Sequence, residues 1–149
     1  METIGAILDF AIRNEEKAFE LYSSMAENSK SSSARKMFER LALEEKGHKI
    51  KLERIRDGEK WFSEPGKPIA DLGIAETLEE MPREGEFDFQ KALIFAMQAE
   101  KRAFQLYTTL ASLADDNDLR KLFQDLAREE AGHKLRIEIE YDDEIYRDN

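Results

Sequence analysis

Apolar residues recur every three or four positions along four stretches of the chain, and a glutamate interrupts each of these stripes. Ile4, Leu8, Ala11, Glu15, Ala18, Tyr22 and Met25 follow one face of a helix, as do Phe38, Leu41, Glu45, His48, Leu52 and Ile55. Leu93, Ala96, Glu100, Ala103, Tyr107 and Leu110 form the third stripe, and Phe123, Leu126, Glu130, His133 and Ile137 the fourth. Thr3 and Asp88 are suited to cap the first and third helices. The serines at 29 and 31–33 break the first helix and one of them can cap the second, Gly58 closes the second, and Asp115–Asp118 separates the last two. Each helix should then hold about 25 residues and span about 37 Å. The segment from Gly58 to Phe87 contains all 3 prolines. It reads as a long connection that packs through Trp61, Phe62, Leu72, Ile74 and Leu78, with a short helix near Ile74–Glu80. The pattern predicts an all-α protein, a four-helix bundle in one domain over 1–149. One hairpin runs over 3–57, a crossover over 58–87 and a second hairpin over 88–146.

The two hairpins are copies of one another. Setting Phe10–Arg56 against Phe95–Tyr141, at an offset of 85 and without a gap, gives 19 identical positions out of 47. The pairs include Glu15/Glu100, Tyr22/Tyr107, Phe38/Phe123, Glu45/Glu130, Gly47/Gly132 and His48/His133. A repeat this long that occurs only twice fits two helical hairpins better than a solenoid.

Composition narrows the chemistry. A chain of 149 residues is long enough for one real core, and 41% hydrophobic residues exclude a disordered chain. The formal net charge of −10 argues against nucleic acid or an anionic membrane as partner. With 0 cysteines there is no disulfide framework, zinc-thiolate site or iron–sulfur centre. No basic start precedes an apolar block at the N-terminus, and no stretch approaches the roughly 20 apolar residues of a membrane span. A cytoplasmic protein is the expectation.

The candidate chemistry lies in the stripes. Both histidines sit in Glu-x-x-His, as Glu45–His48 and Glu130–His133, and residues i and i+3 share a helix face. Glu15 and Glu100 each precede these motifs by 30 positions. A carboxylate buried in a bundle core costs several kcal/mol, and four together repel one another. Two divalent cations would balance four carboxylates and leave both imidazoles neutral. Oxygen and imidazole ligands without sulfur suit iron(II) or manganese(II), with zinc also admitted. Glu45 and Glu130 are expected to bridge, Glu15 with His48 to complete one ion, and Glu100 with His133 the other. Tyr22 and Tyr107, two turns beyond Glu15 and Glu100, read either as core tyrosines or as functional groups, donors to a ligand carboxylate or quenchers of oxidised intermediates. Gly47 and Gly132, inside helices, point to close helix approach beside the histidines or to a local helix distortion. Glu44 and Glu129 read as solvent-facing, as do Glu16, Glu20 and Glu53.

These residues resemble the rubrerythrin branch of the ferritin-like di-iron carboxylate proteins, over both hairpins. Glu15, Glu45, His48, Glu100, Glu130 and His133 fall on that family's ligand positions, and Ala18-Phe19-Glu20-Leu21-Tyr22 looks like its first helix. The resemblance implies a non-haem di-iron site that reduces peroxide or dioxygen, re-reduced by an external electron donor protein, in a homodimer. Two departures stand out. The chain has no cysteine, hence no rubredoxin domain, and Ala103 stands where rubrerythrins carry an extra carboxylate one turn after the third-helix ligand. The six-ligand set resembles the ferroxidase centre of bacterioferritin, which makes iron handling without peroxidase turnover the alternative. The short stretch after Ile137 does not resemble the fifth helix of storage-cage ferritins.

Overall fold

The computed structural model describes residues 4–58 and 88–148. It contains four helices: α1 Ile4–Glu27, α2 Ser32–Asp57, α3 Phe89–Leu113 and α4 Asn117–Asp148. Thr3 and the crossover with its suggested short helix lie outside the described residues.

Local chemistry sets the helix ends. The Ser31 side chain accepts from the Ala34 N–H at 3.1 Å, so one of the serines does start α2. Asp88 accepts from the Lys91 N–H at 3.1 Å at the start of α3, and Asp116 from the Leu119 N–H at 2.7 Å at the start of α4. Each bond satisfies a backbone donor that the first turn leaves without an intrahelical partner. At the end of α2, a Cβ on Gly58 would stand 2.8 Å from the Arg54 carbonyl oxygen, which leaves room only for glycine. α4 is longer than its stripe indicates, with 32 residues, and carries the acidic run Asp142–Glu144 as helix. Tyr141, one turn beyond buried Ile137, packs against the core and holds this extension to the bundle.

α1 packs along α2 and α3 along α4, and the hairpins meet through α1–α3 and α2–α4. The early residues Ile7–Ile12 of α1 cluster with Leu106–Ala111 late in α3, and Leu52 and Ile55 late in α2 with Leu119–Ala127 early in α4. Both cross-hairpin pairs therefore run antiparallel. A second apolar cluster joins Leu21–Ala26, Ala34–Ala42, Ala92–Ala96 and Ile137. The duplication persists in the packing. Tyr22 stacks on Phe38 with centroids 6.1 Å apart, and Tyr107 on Phe123 at 6.3 Å, both at 24°. Among the described residues no helix is long and apolar enough to cross a membrane.

Neither reading of the helical glycines holds. A Cβ added to Gly47 or Gly132 meets nothing within 4 Å, and both helices run through these positions undistorted. Nothing in the structure explains them. Gly47→Ala and Gly132→Ala are therefore each expected to raise stability by roughly 0.8–1 kcal/mol, the ordinary helix preference for alanine. Urea unfolding of each variant beside the parent chain measures this, and a loss of stability would show that the space is needed.

Candidate metal centre

Between the two apolar clusters lies a belt of buried polar groups. Glu15, Glu45, Glu100, Glu130, His48 and His133 are at most 3% exposed. One comes from each of α1 and α3, and two from each of α2 and α4. The i, i+3 spacing turns both members of each Glu-x-x-His inward.

The geometry repeats across the two halves. His48 Nδ1 lies 3.1 Å from Glu130 Oε1, 3.3 Å from Glu45 Oε1 and 3.6 Å from Glu15 Oε1. His133 Nδ1 lies 3.1 Å from Glu45, 3.3 Å from Glu130 and 3.6 Å from Glu100. The rings are nearly parallel, 8° apart, with centroids separated by 5.9 Å. Glu45 and Glu130 thus belong to both halves of the site, and Glu15 and Glu100 to one each. Two groups, Glu15–Glu45–His48–Glu130 and Glu45–Glu100–Glu130–His133, each bring four ligand atoms within 4.8 Å of one another.

The outer side of each group is held from the opposite hairpin. The Tyr22 hydroxyl donates to Glu100 Oε1, and the Tyr107 hydroxyl to Glu15 Oε1. Buried tyrosine hydroxyls need such partners, and here the partners are the carboxylates of the site. His48 Nε2 lies 2.6 Å from Glu129 Oε2, and His133 Nε2 lies 2.5 Å from Glu44 Oε2. Each imidazole thus donates its Nε2–H outward and turns Nδ1 into the site, where a ring made neutral by metal ligation would direct its lone pair. This adds a contact to the reading of Glu44 and Glu129 as solvent-facing. They are 37% and 49% exposed, yet their carboxylates close on the histidines across the hairpin interface. A stripe drawn on one helix cannot show a contact that forms only when two helices cross; the doubled acids Glu44-Glu45 and Glu129-Glu130 were the available signal. Glu16 and Glu20 are exposed, Glu16 pairing with Lys49 at 2.8 Å, and Glu53 is half-buried.

Among the described residues, six inward atoms have no hydrogen-bond partner: Glu15 Oε2, Glu45 Oε1, His48 Nδ1, Glu100 Oε2, Glu130 Oε1 and His133 Nδ1. One comes from each of the six residues. Buried polar atoms are almost always satisfied, so six convergent exceptions fit a metal-binding role. Without cations the charge is carried by protons. Burial and the neighbouring carboxylates push Glu15, Glu45 and Glu100 above the ordinary carboxylate range. Burial works against Glu130 too, but the His133 and His48 imidazoles hold it below that range, and the like-charged Glu45 and Glu130 titrate as a pair. Burial disfavours the charged form of both imidazoles, yet the surrounding carboxylates raise them well above their ordinary value.

Two expectations follow. In the metal-free protein, the raised carboxylates hold protons that the unfolded chain loses above about pH 4.5, and the imidazoles do so above about pH 6.5. The native state then binds more protons than the unfolded state, so these groups lower stability as pH rises from about 5 to 8. Glu130 opposes this only in the acid range. Metal ligation needs deprotonated groups, so the metal-loaded protein should show the opposite slope. Thermal unfolding against pH with and without a divalent metal checks both, and parallel slopes would contradict the account. Removing an outer carboxylate, as Glu44→Ala or Glu129→Ala, should weaken metal binding by about 10–100-fold. A chelator-competition titration reads this directly.

Comparison with known proteins agrees with the geometry. The family model described as Rubrerythrin matches residues 6–71 and 91–147. A hypothetical protein from Pyrococcus furiosus is similar in structure, with a TM-score of 0.73 at 28% identity over 94% of this chain and 89% of that one. A putative ferritin-like diiron-carboxylate protein from Thermotoga maritima has a TM-score of 0.70 at 22% identity, over 92% of each chain, a likeness of fold. No curated protein matches the chain.

Proposed function

The chain belongs to the rubrerythrin family, and from that premise we propose that it is a non-haem di-iron oxidoreductase that reduces peroxide or dioxygen. The observation that carries this reading is the set of six inward, unpartnered ligand atoms on four carboxylates and two imidazoles. Glu45 and Glu130 would bridge two ions, Glu15 with His48 would complete one and Glu100 with His133 the other. Two divalent ions would match the four carboxylates in charge, and oxygen with imidazole ligands suits iron before zinc. Bound iron(II) would supply two electrons to the oxidant.

The protein's own part is positioning. Tyr22 and Tyr107 each hold one oxygen of a terminal carboxylate and leave the other, Oε2, free to bind. Their burial raises the phenol pKa well above its ordinary value, aided by the nearby carboxylates, so both remain proton donors at neutral pH. Glu44 and Glu129 fix the imidazole tautomer. The apolar clusters on either side keep bulk water from the ligands, which strengthens every charge interaction among them. Re-reduction would come from an external electron donor protein, and a homodimer is part of the same reading.

Ala103 supports a second reading, iron oxidation for metal handling without peroxidase turnover. It lines the cavity beside the site, with no carboxylate there to move onto an oxidised ion. Anaerobic loading with iron(II) followed by peroxide tests both. Stoichiometric iron oxidation with peroxide consumed is expected, and Glu45→Ala should abolish it by removing a shared ligand. Repeated turnover with an added reductant favours the peroxidase, a single oxidation the metal-handling protein, and no oxidation beyond the metal-free control refutes both.

A further inference from the structure

A cavity of about 290 Å³ lies between α1 and α3. Glu15, Glu45, Glu100 and Glu130 form its floor with Tyr22 and Tyr107, and neither histidine lines it. It therefore reaches the carboxylates from the side away from the imidazoles. Its walls are Ala18, Leu21, Phe95, Ala99, Ala103 and Leu106. Ala18/Ala103 and Leu21/Leu106 are equivalent positions of the two hairpins, so the duplication builds both sides of the space alike.

The cavity is larger than a peroxide or dioxygen needs. A water takes about 30 Å³, so a two-atom oxidant fills roughly 60 Å³. An apolar cavity of about 150 Å³ accommodates benzene, and this one has nearly twice that volume. These alanine, leucine and phenylalanine walls suit an apolar body, and Asn14, Lys17, Glu20, Ser24 and Arg102 line the rest of the space. The floor is suited to a polar head. A cationic head would compete with the metal ions for the same four carboxylates. A carboxylate is a hard oxygen ligand that the ions would accept.

We infer that this cavity binds a monocarboxylic acid of about eight to ten carbons, with its head toward the metal centre and its chain between the Ala18/Ala103 and Leu21/Leu106 walls. The inference rests on the di-metal reading of the site. Zinc(II), which has no redox chemistry, separates the two. The chain is loaded with zinc(II), its stoichiometry measured, and octanoate and acetate titrated in by calorimetry. Two zinc ions per chain and octanoate binding at least tenfold tighter than acetate are expected. Ala103→Phe and Ala18→Phe, which fill the cavity from opposite walls, should each weaken octanoate at least tenfold while zinc stoichiometry stays at two. Zinc binding with octanoate no tighter than acetate overturns the inference alone, as does octanoate binding that neither substitution weakens. Failure to bind zinc overturns the di-metal reading and the inference with it.

Discussion

Four carboxylates buried in the middle of a helical bundle are the constraint around which this molecule is organised. Glu15, Glu45, Glu100 and Glu130 are each at most 2% exposed. Removing one such charge from water costs several kcal/mol even after relaxation, and mutual repulsion adds to that. A core this size could not carry the load if the acids were scattered. They lie in one belt, with an apolar cluster at each end of the bundle to supply the burial that holds the helices together. The tyrosines and histidines follow from the same requirement. Each places a polar group where a carboxylate oxygen would otherwise face hydrocarbon.

The groups that satisfy the belt come from the opposite hairpin. Tyr22 serves Glu100 and Tyr107 serves Glu15, while Glu129 holds His48 and Glu44 holds His133. Neither hairpin can complete the site by itself. α1 with α2, and α3 with α4, can form much of their contact locally, but the centre exists only once the two hairpins meet. Cation binding should therefore be linked to docking of the hairpins, because Glu45 and Glu130 belong to both ligand groups.

The helices, the inward glutamates and the duplication were legible in the sequence because each is a matter of spacing along one helix. Asp88 was legible as a cap for the same reason, and so was a serine cap for α2, though not which of the serines, Ser31, supplies it. The contacts of Glu44 and Glu129 were not. Their helical phase places them off the stripe, and only the crossing of α2 and α4 brings them within reach of the histidines. Gly47 and Gly132 misled in the opposite direction: glycine is costly in a helix, and the pattern implied a packing reason where the structure shows open space. The extension of α4 through Asp142–Glu144 falls inside the second hairpin as read over 88–146, and Tyr141 packs it against the core where the apolar stripe has ended.

The two faces of the belt differ, and the difference follows from which helices carry histidine. α2 and α4 each place an imidazole and a shared acid toward the centre and an outer acid behind the opposite imidazole. That side is bound up in direct contacts. α1 and α3 contribute one carboxylate each, and one turn on they place Ala18 and Ala103, side chains too small to close the gap between the helices. Larger residues there would extend the apolar packing across the carboxylates and bury them on all sides. Among the described residues the alanines instead leave a cavity on the α1–α3 side, at the expense of core packing that larger side chains would supply. Both copies make the same choice, so the asymmetry between a closed imidazole side and an open carboxylate side is built into the hairpin itself.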